Sequence, residues 1–213
     1  MRKEELFRKM KCKGKKIFAM SIAAAVFMSV LTTGYSCDKV NVSAAKKKIS
    51  TVKIGKAVVT TANGKVAVSK KNKTITLNQS GTYTFKGNFG SYRIIMNKRQ
   101  LNVTVRLNGV TMSNSKTACI YNTKKSAGLH IQLVKGTKNV LTGPAAFPEV
   151  TGKTGSKKIS PDGVIMSDGN LKIWGSGSLN VKDTSSNGNA VDSKKDISVT
   201  SGNIFITSKN SGI

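Results

Sequence analysis

Short runs of alternating apolar residues recur along this 213-residue chain at one spacing. Ile94-Ile95-Met96 is answered 26 residues later by Ile120-Tyr121-Asn122, and Val103-Thr104-Val105-Arg106-Leu107 by Leu129-His130-Ile131-Gln132-Leu133. The same 26 residues separate Val164-Ile165-Met166-Ser167 from Ala190-Val191-Asp192-Ser193, and Leu171-Lys172-Ile173 from Ile197-Ser198-Val199. Earlier, Ile75-Thr76-Leu77 stands 28 residues before Val103-Thr104-Val105, and Tyr83-Thr84-Phe85 stands 27 before Val110-Thr111-Met112. No window after residue 69 carries the i, i+3, i+4, i+7 apolar spacing of a helix, and Gly, Asn, Ser and Thr interrupt the chain every few residues. A repeat of two or three strands cannot bury its apolar face within itself, so the units must stack on a shared core. The pattern predicts an all-β chain, a parallel β-helix of about five to six coils. A β-sandwich is the structural rival, because its strands also recur at short intervals.

In a stack of this kind Ile94, Ile120, Ile165 and Val191 form one inward ladder, and Val105, Ile131, Ile173 and Val199 another. Each such residue is worth roughly 1.5–3 kcal/mol when fully buried. Alternation then sends the intervening Thr, Lys, Arg and Gln to water, with His130 among them as a solvated strand residue. Cys119, in the run Ala118-Cys119-Ile120, reads as a small core residue. The spacing from Ile120 to Ile165 is 45 rather than 26, so the segment 144–161 is expected to be an inserted surface loop. Residues 46–73 read as a basic lead-in and an N-terminal cap, with a hairpin or tight turn about Asn63-Gly64. Gly212-Ile213 repeats Gly163-Val164, which suggests that a further coil opens there and that the chain is truncated at its C-terminus.

The formal charge is +27. Residues 1–16 hold eight Lys and Arg, and the next fifteen, Ile17 to Leu31, hold none. Fifteen apolar or small residues fall short of the ~20 of a bilayer span but suit a secretory signal. Cleavage after Ser43-Ala44-Ala45 would make residues 1–45 a signal peptide, remove Cys12 and Cys37, and leave Cys119 without a partner. The expectation is a secreted or cell-surface bacterial protein with no internal disulfide. From Lys46 onward the chain still carries 27 basic and 6 acidic residues, a net charge of +21. Such a charge calls for an acidic partner. No nucleic-acid motif with interleaved aromatics is present, so no specific nucleic acid is expected.

Three stretches carry a resemblance: Thr74 to Gly87, Leu107-Asn108-Gly109-Val110-Thr111-Met112-Ser113-Asn114, and the repeats Asp162 to Val181 and Asn189 to Ile206. Together they resemble the clostridial secreted carbohydrate-binding family typified by a cellulose- and pectin-binding member. The resemblance implies a right-handed parallel β-helix related to calcium-dependent polysaccharide lyases, binding cell-wall polysaccharide without clear catalysis. The family's polar turn is matched at Asp162-Gly163, Ser167, Asn170 and Leu171, then at Asn189-Ala190, Ser193, Asp196 and Ile197. Asn170 and Asn189 stand where the family turn has Asp.

Function follows three lines. For binding, outward Arg93, Arg99, Arg106, Lys124, Lys172 and Lys194 are candidates to attract an anionic or pectin-like polysaccharide, alongside Lys98, Lys125, Lys182 and Lys195. Trp174 and Tyr121 are candidates to stack on sugar rings. For a polyuronate lyase, a base and a Ca2+ are needed, and Asp162, Asp168, Asp192 and Asp196 are the candidate ligands; capping of backbone N–H groups in turns is the favoured reading of the same carboxylates. Calcium is therefore optional. The third line is a structural or adhesive wall protein. Cellulose remains an alternative glycan, and a monomer is expected.

Overall fold

Alternation fixes which face of each strand is apolar, and the structure, a computed structural model, describes the result for residues 49–62, 64–151 and 157–213. The expected signal segment and the Asn63 position of the expected turn lie outside the described residues. In chain order the strands are β1 (Ser50–Ile54), β2 (Ala57–Thr61), β3 (Val66–Ser69), β4 (Thr74–Leu77), β5 (Gly81–Gly90) and β6 (Arg93–Met96). They continue with β7 (Asn102–Ser113), β8 (Ile120–Asn122), β9 (Gly128–Leu133), β10 (Lys138–Thr142), β11 (Glu149–Thr151) and β12 (Lys157–Ile159). The last are β13 (Gly163–Ser167), β14 (Leu171–Gly175), β15 (Ser178–Lys182), β16 (Asn189–Ser193), β17 (Ile197–Val199) and β18 (Asn203–Thr207). Among the described residues there is no helix, so none that could cross a membrane.

The strands sort into columns of parallel neighbours. One column runs β4, β6, β8, β13, β16. A middle column runs from the first half of β5 through the first half of β7 to β9, β14 and β17. A third runs from the second halves of β5 and β7 to β10, β15 and β18. Ile94 pairs with Ile120, Val103 with Leu129, Ile165 with Val191 and Leu171 with Ile197, each pair one repeat apart in the sequence. Ile75, Ile94, Ile120, Ile165 and Val191 line up inward and are buried. So do Val105, Ile131 and Ile173; Val199, on the last paired strand of the middle column, is instead 48% exposed.

The first units depart from the expected spacing. Ile75 pairs with Ile94, a shorter step along the chain than the repeat, and not with Val103. Tyr83 pairs with Val105 and Phe85 with Leu107, again a shortened step, and not with Val110 and Met112. Both sets of partners are inward and buried, because Ile94 and Val103 lie on different strands and the inward phase of β7 shifts at Gly109, which the pairing with β5 skips; the shorter connections of the first unit decide. Nor do β2 and β3 pair with one another about Asn63-Gly64. β2 pairs antiparallel with β1 and β5, and β3 with β4, so the two runs enter different sheets. Near the other end, Ser211 rather than Gly212 stands opposite Asn189, which itself stands opposite Gly163. Asn189 therefore takes the place of Gly163, not of Asp162.

Where the middle column bends into the third, β5 and β7 run through uncut, β7 turning at Gly109 with φ of +70°. From β9 on, the same bend divides each long strand in two. At Gly175 (φ +125°) a Cβ would run into the carbonyl of Leu133, so only glycine fits the close approach of neighbouring strands. The inserted segment stretches the offsets unequally: Ile120 to Ile165 is 45, Leu129 to Leu171 is 42 and Lys138 to Ser178 is 40. Within it β11 and β12 pair antiparallel. Phe147, buried, anchors it: its N–H donates to Asn187 Oδ1 (2.8 Å) and its carbonyl accepts from Asn187 Nδ2 (3.2 Å).

One inward row turns polar after Met96. Met96, Asn122, Ser167 and Ser193 occupy successive rungs of one position. Asn122 is fully buried; its Nδ2 donates to Ala127 O (3.0 Å), Ser167 Oγ (3.0 Å) and Lys124 O (3.2 Å), and its Oδ1 accepts from Lys124 N (3.1 Å). It thereby holds its own turn and the next strand together.

Candidate functional site

The outward face of the middle column carries two parallel rows of side chains. Thr84, Arg106, Gln132 and Trp174 follow one another in register, and Thr82, Thr104, His130, Lys172 and Ser198 form the row beside them. Successive strands lie about 4.8 Å apart, so each row repeats at that interval. Trp174 is partly buried. The His130 ring meets it edge-on, with centroids 5.8 Å apart at 74°, and Lys172 Nζ stands 5.8 Å from the indole centroid. Arg106 lies partly buried with its Nε lacking a hydrogen-bond partner. Burial, and next the Lys172 charge, hold His130 below the ordinary value of an imidazole, so near neutral pH it offers a neutral ring with one donor and one acceptor. The arrangement supplies an amphipathic aromatic platform flanked by amide, imidazole, guanidinium and hydroxyl groups, the combination that holds a polar molecule with an apolar face.

The other basic candidates do not join this face. Arg99, Lys124 and Lys194 lie on the turns that lead from the first column into the middle one. Arg93 opens β6, where its Nη1 donates to Thr117 Oγ1 (3.4 Å) and its Nε to Thr74 Oγ1 (3.5 Å). Tyr121 sits on the first column, its hydroxyl 3.5 Å from Ser160 Oγ.

Of the four acidic candidates three share the neighbourhood of Lys194, and Asp196 stands apart. Asp192 and Asp162 approach one another: burial, and then the Asp162 charge, raise the Asp192 carboxyl above its ordinary range. Asp168 is taken by Lys194, with Nζ to Oδ1 at 3.4 Å. Asp196 is exposed, and its carbonyl accepts from Leu171 N (2.9 Å). Among the described residues no three His, Cys, Asp or Glu side chains gather as a metal cage. A Ca2+ site wants six to eight oxygens, and one carboxylate pair beside a lysine does not fit it.

Cys119 is buried; its Sγ donates to Thr142 O (3.3 Å), and burial pushes the thiol up to about 11. It is a core residue, as its apolar neighbours indicate. His130, Gln132 and Thr104 are the site residues that sequence reasoning passed over. The signal was there in the offset of 42 between Gln132 and Trp174, which becomes readable only once the insertion is counted column by column.

The fold is all-β, and its middle column presents an outer face of polar rows that carries the Trp174 indole. The chain belongs to the carbohydrate-binding domain-containing protein family, whose model matches residues 71–213. Among solved structures it is similar to the polysaccharide lyase-like protein from C. thermocellum, solved as a gadolinium derivative: 28% identity, TM-score 0.56, covering 65% of this chain. The match spans 53% of that protein's chain, about half of its length. No curated relative matches.

Proposed function

We propose that this chain is an exported bacterial protein that binds an extended polysaccharide on the outward face of the middle column, the columns forming a right-handed parallel β-helix. The carrying observation is Trp174, framed by His130 and Lys172 and continued along its row by Gln132 and Arg106. A repeating row suits a repeating polymer, since the same side-chain position returns on every strand. The net charge of +21 from Lys46 onward favours an anionic, pectin-like glycan over cellulose. Binding asks for no metal, because donors and cations already line the face, and a monomer suffices.

The test is affinity electrophoresis in polygalacturonate, cellulose and polymer-free gels. Retardation in the polygalacturonate gel is expected; no retardation in either polymer gel at moderate salt defeats the reading. Shielding about a third of an indole at ~25 cal/mol per Å2 is worth roughly 1.5–2 kcal/mol. Trp174→Ala should therefore weaken binding about ten- to thirtyfold.

The name of the structural neighbour favours one second reading, a lyase acting on polyuronates. A lyase base needs a lowered pKa. Lys194 is exposed; partial desolvation lowers its pKa, but the nearby acids, Asp168 foremost, together outweigh that and hold it above the ordinary lysine value, which argues against that residue as the base. Ultraviolet absorbance of an unsaturated product, followed with and without Ca2+, decides between the readings; a flat trace in both removes the lyase.

A further inference from the structure

At one corner of the fold the turns differ in length, and the difference opens a cleft. Only Ser91 and Tyr92 separate β5 from β6, whereas Lys70 to Lys73 lead into β4 and Asn114 to Cys119 lead into β8. β6 lies between β4 and β8 as a parallel neighbour of both. The short turn therefore sits between two longer ones and leaves a notch of about 640 Å3. Lys71 and Lys73 line it from one side, Lys116 and Thr117 from the other, and Arg93 from the strand between.

The notch is built rather than incidental. Asn114 is buried and spends its whole side chain on it: Oδ1 accepts from Lys116 N and Thr117 N, both at 3.0 Å, and Nδ2 donates to Ser91 O (2.8 Å). The third turn is thus fixed to the second, with Lys116 and Thr117 held at the rim. Arg93 is positioned by two neutral hydroxyls, those of Thr74 and Thr117, which hold the guanidinium without neutralising it. Burial lowers its pKa, as expected for a cation with no acid beside it. No Asp or Glu lines the cleft, and among the described residues none of these four cations forms an ion pair. Asn72 and Ser115 add neutral polar groups. Nucleic acid is a poorer occupant, because bases want an open aromatic platform and the nearby Tyr92 ring already has Lys73 Nζ over it at 5.2 Å.

We propose that this corner cleft is a second glycan subsite, which takes the carboxylate or sulfate of an acidic sugar. It takes the sugar scaffold of its ligand from the glycan reading above, but it shares no residue with the Trp174 face. Several cations converging on one concave site bind an oxyanion far better than the same charges spread over a surface.

The test is calorimetric titration of the full chain with trigalacturonate, a sulfated trisaccharide and cellotriose. One variant is Lys71→Gln/Lys73→Gln/Lys116→Gln, at three exposed positions. A charge-matched control is Lys135→Gln/Lys138→Gln/Lys209→Gln, also exposed and outside the cleft. Saturable binding of at least one acidic trisaccharide is expected, lost at least tenfold in the cleft variant and less than twofold in the control; which acid binds tells carboxylate from sulfate. Equal losses in both triple variants, equal binding of cellotriose, or no binding of either acid overturns the proposal. If Trp174→Ala abolishes trisaccharide binding while the cleft variant keeps it, the cleft falls and the face reading stands. If the polymer gels also show no retardation, both fall.

Discussion

Asn122 offers the sharpest test of how these repeats hold together. It occupies an inward position that Met96 fills one strand earlier, is fully buried, and makes four hydrogen bonds through its side chain. Asn122→Ala removes all four. Lys124 O retains Ala127 N (3.1 Å), and Ser167 Oγ retains Gly169 N (3.2 Å) and Asn170 O (3.4 Å). Ala127 O and Lys124 N lose the bonds that Asn122 gave them. A net ~0.5–1.5 kcal/mol for each bond, with two buried groups left short, gives a loss of about 3 kcal/mol. For a domain of this size that is roughly 6–12 °C in Tm. Chemical denaturation followed by far-ultraviolet circular dichroism measures it, with the exposed Asn97→Ala as the comparison, expected within about 0.5 kcal/mol of wild type. A loss below about 1 kcal/mol for Asn122→Ala, or one no larger than that of Asn97→Ala, refutes the claim that this side chain couples successive repeats.

Two further outcomes follow from the charges. Lys172→Gln should raise the pKa of His130 in an NMR titration, while leaving it below the ordinary imidazole value because burial, the larger cause, remains; an unchanged value would separate the two residues electrostatically. Asp192 has a folded-state pKa raised by burial and by Asp162, so the folded protein holds that proton more tightly than the unfolded chain. Stability is then lost as pH rises from the ordinary carboxylate range through the folded value. Asp192→Asn should accordingly raise Tm at pH 7, with the gain fading toward pH 3; a gain that grows toward low pH would reverse the assignment.

How much of this was legible beforehand differs residue by residue. The pairs Ile94 with Ile120 and Leu171 with Ile197 could be read directly, because connections of equal length keep the repeat in step. Tyr83 could not be placed, because Val105 and Val110 both face inward across the skipped Gly109, and only the short turn at Ser91-Tyr92 selects between them. Alternation from Ile120 puts Asn122 inward, but how a buried amide there is satisfied becomes clear only from the turn carbonyls it reaches.

By itself the order of residues determined the strand-only character, the stacking of those units that are joined by connections of equal length and the basic surface, since all three follow from local alternation and composition. The tertiary structure alone decided which outward residues become neighbours. The insertion between β10 and β13 shifts the columns by unequal amounts, and the unequal corner turns set where a cleft opens. That is why Trp174 meets His130, while Arg93, Arg99 and Lys194, grouped with it on the page of letters, lie elsewhere: contact in a stacked chain depends on the summed length of every intervening loop, and no local pattern encodes that sum.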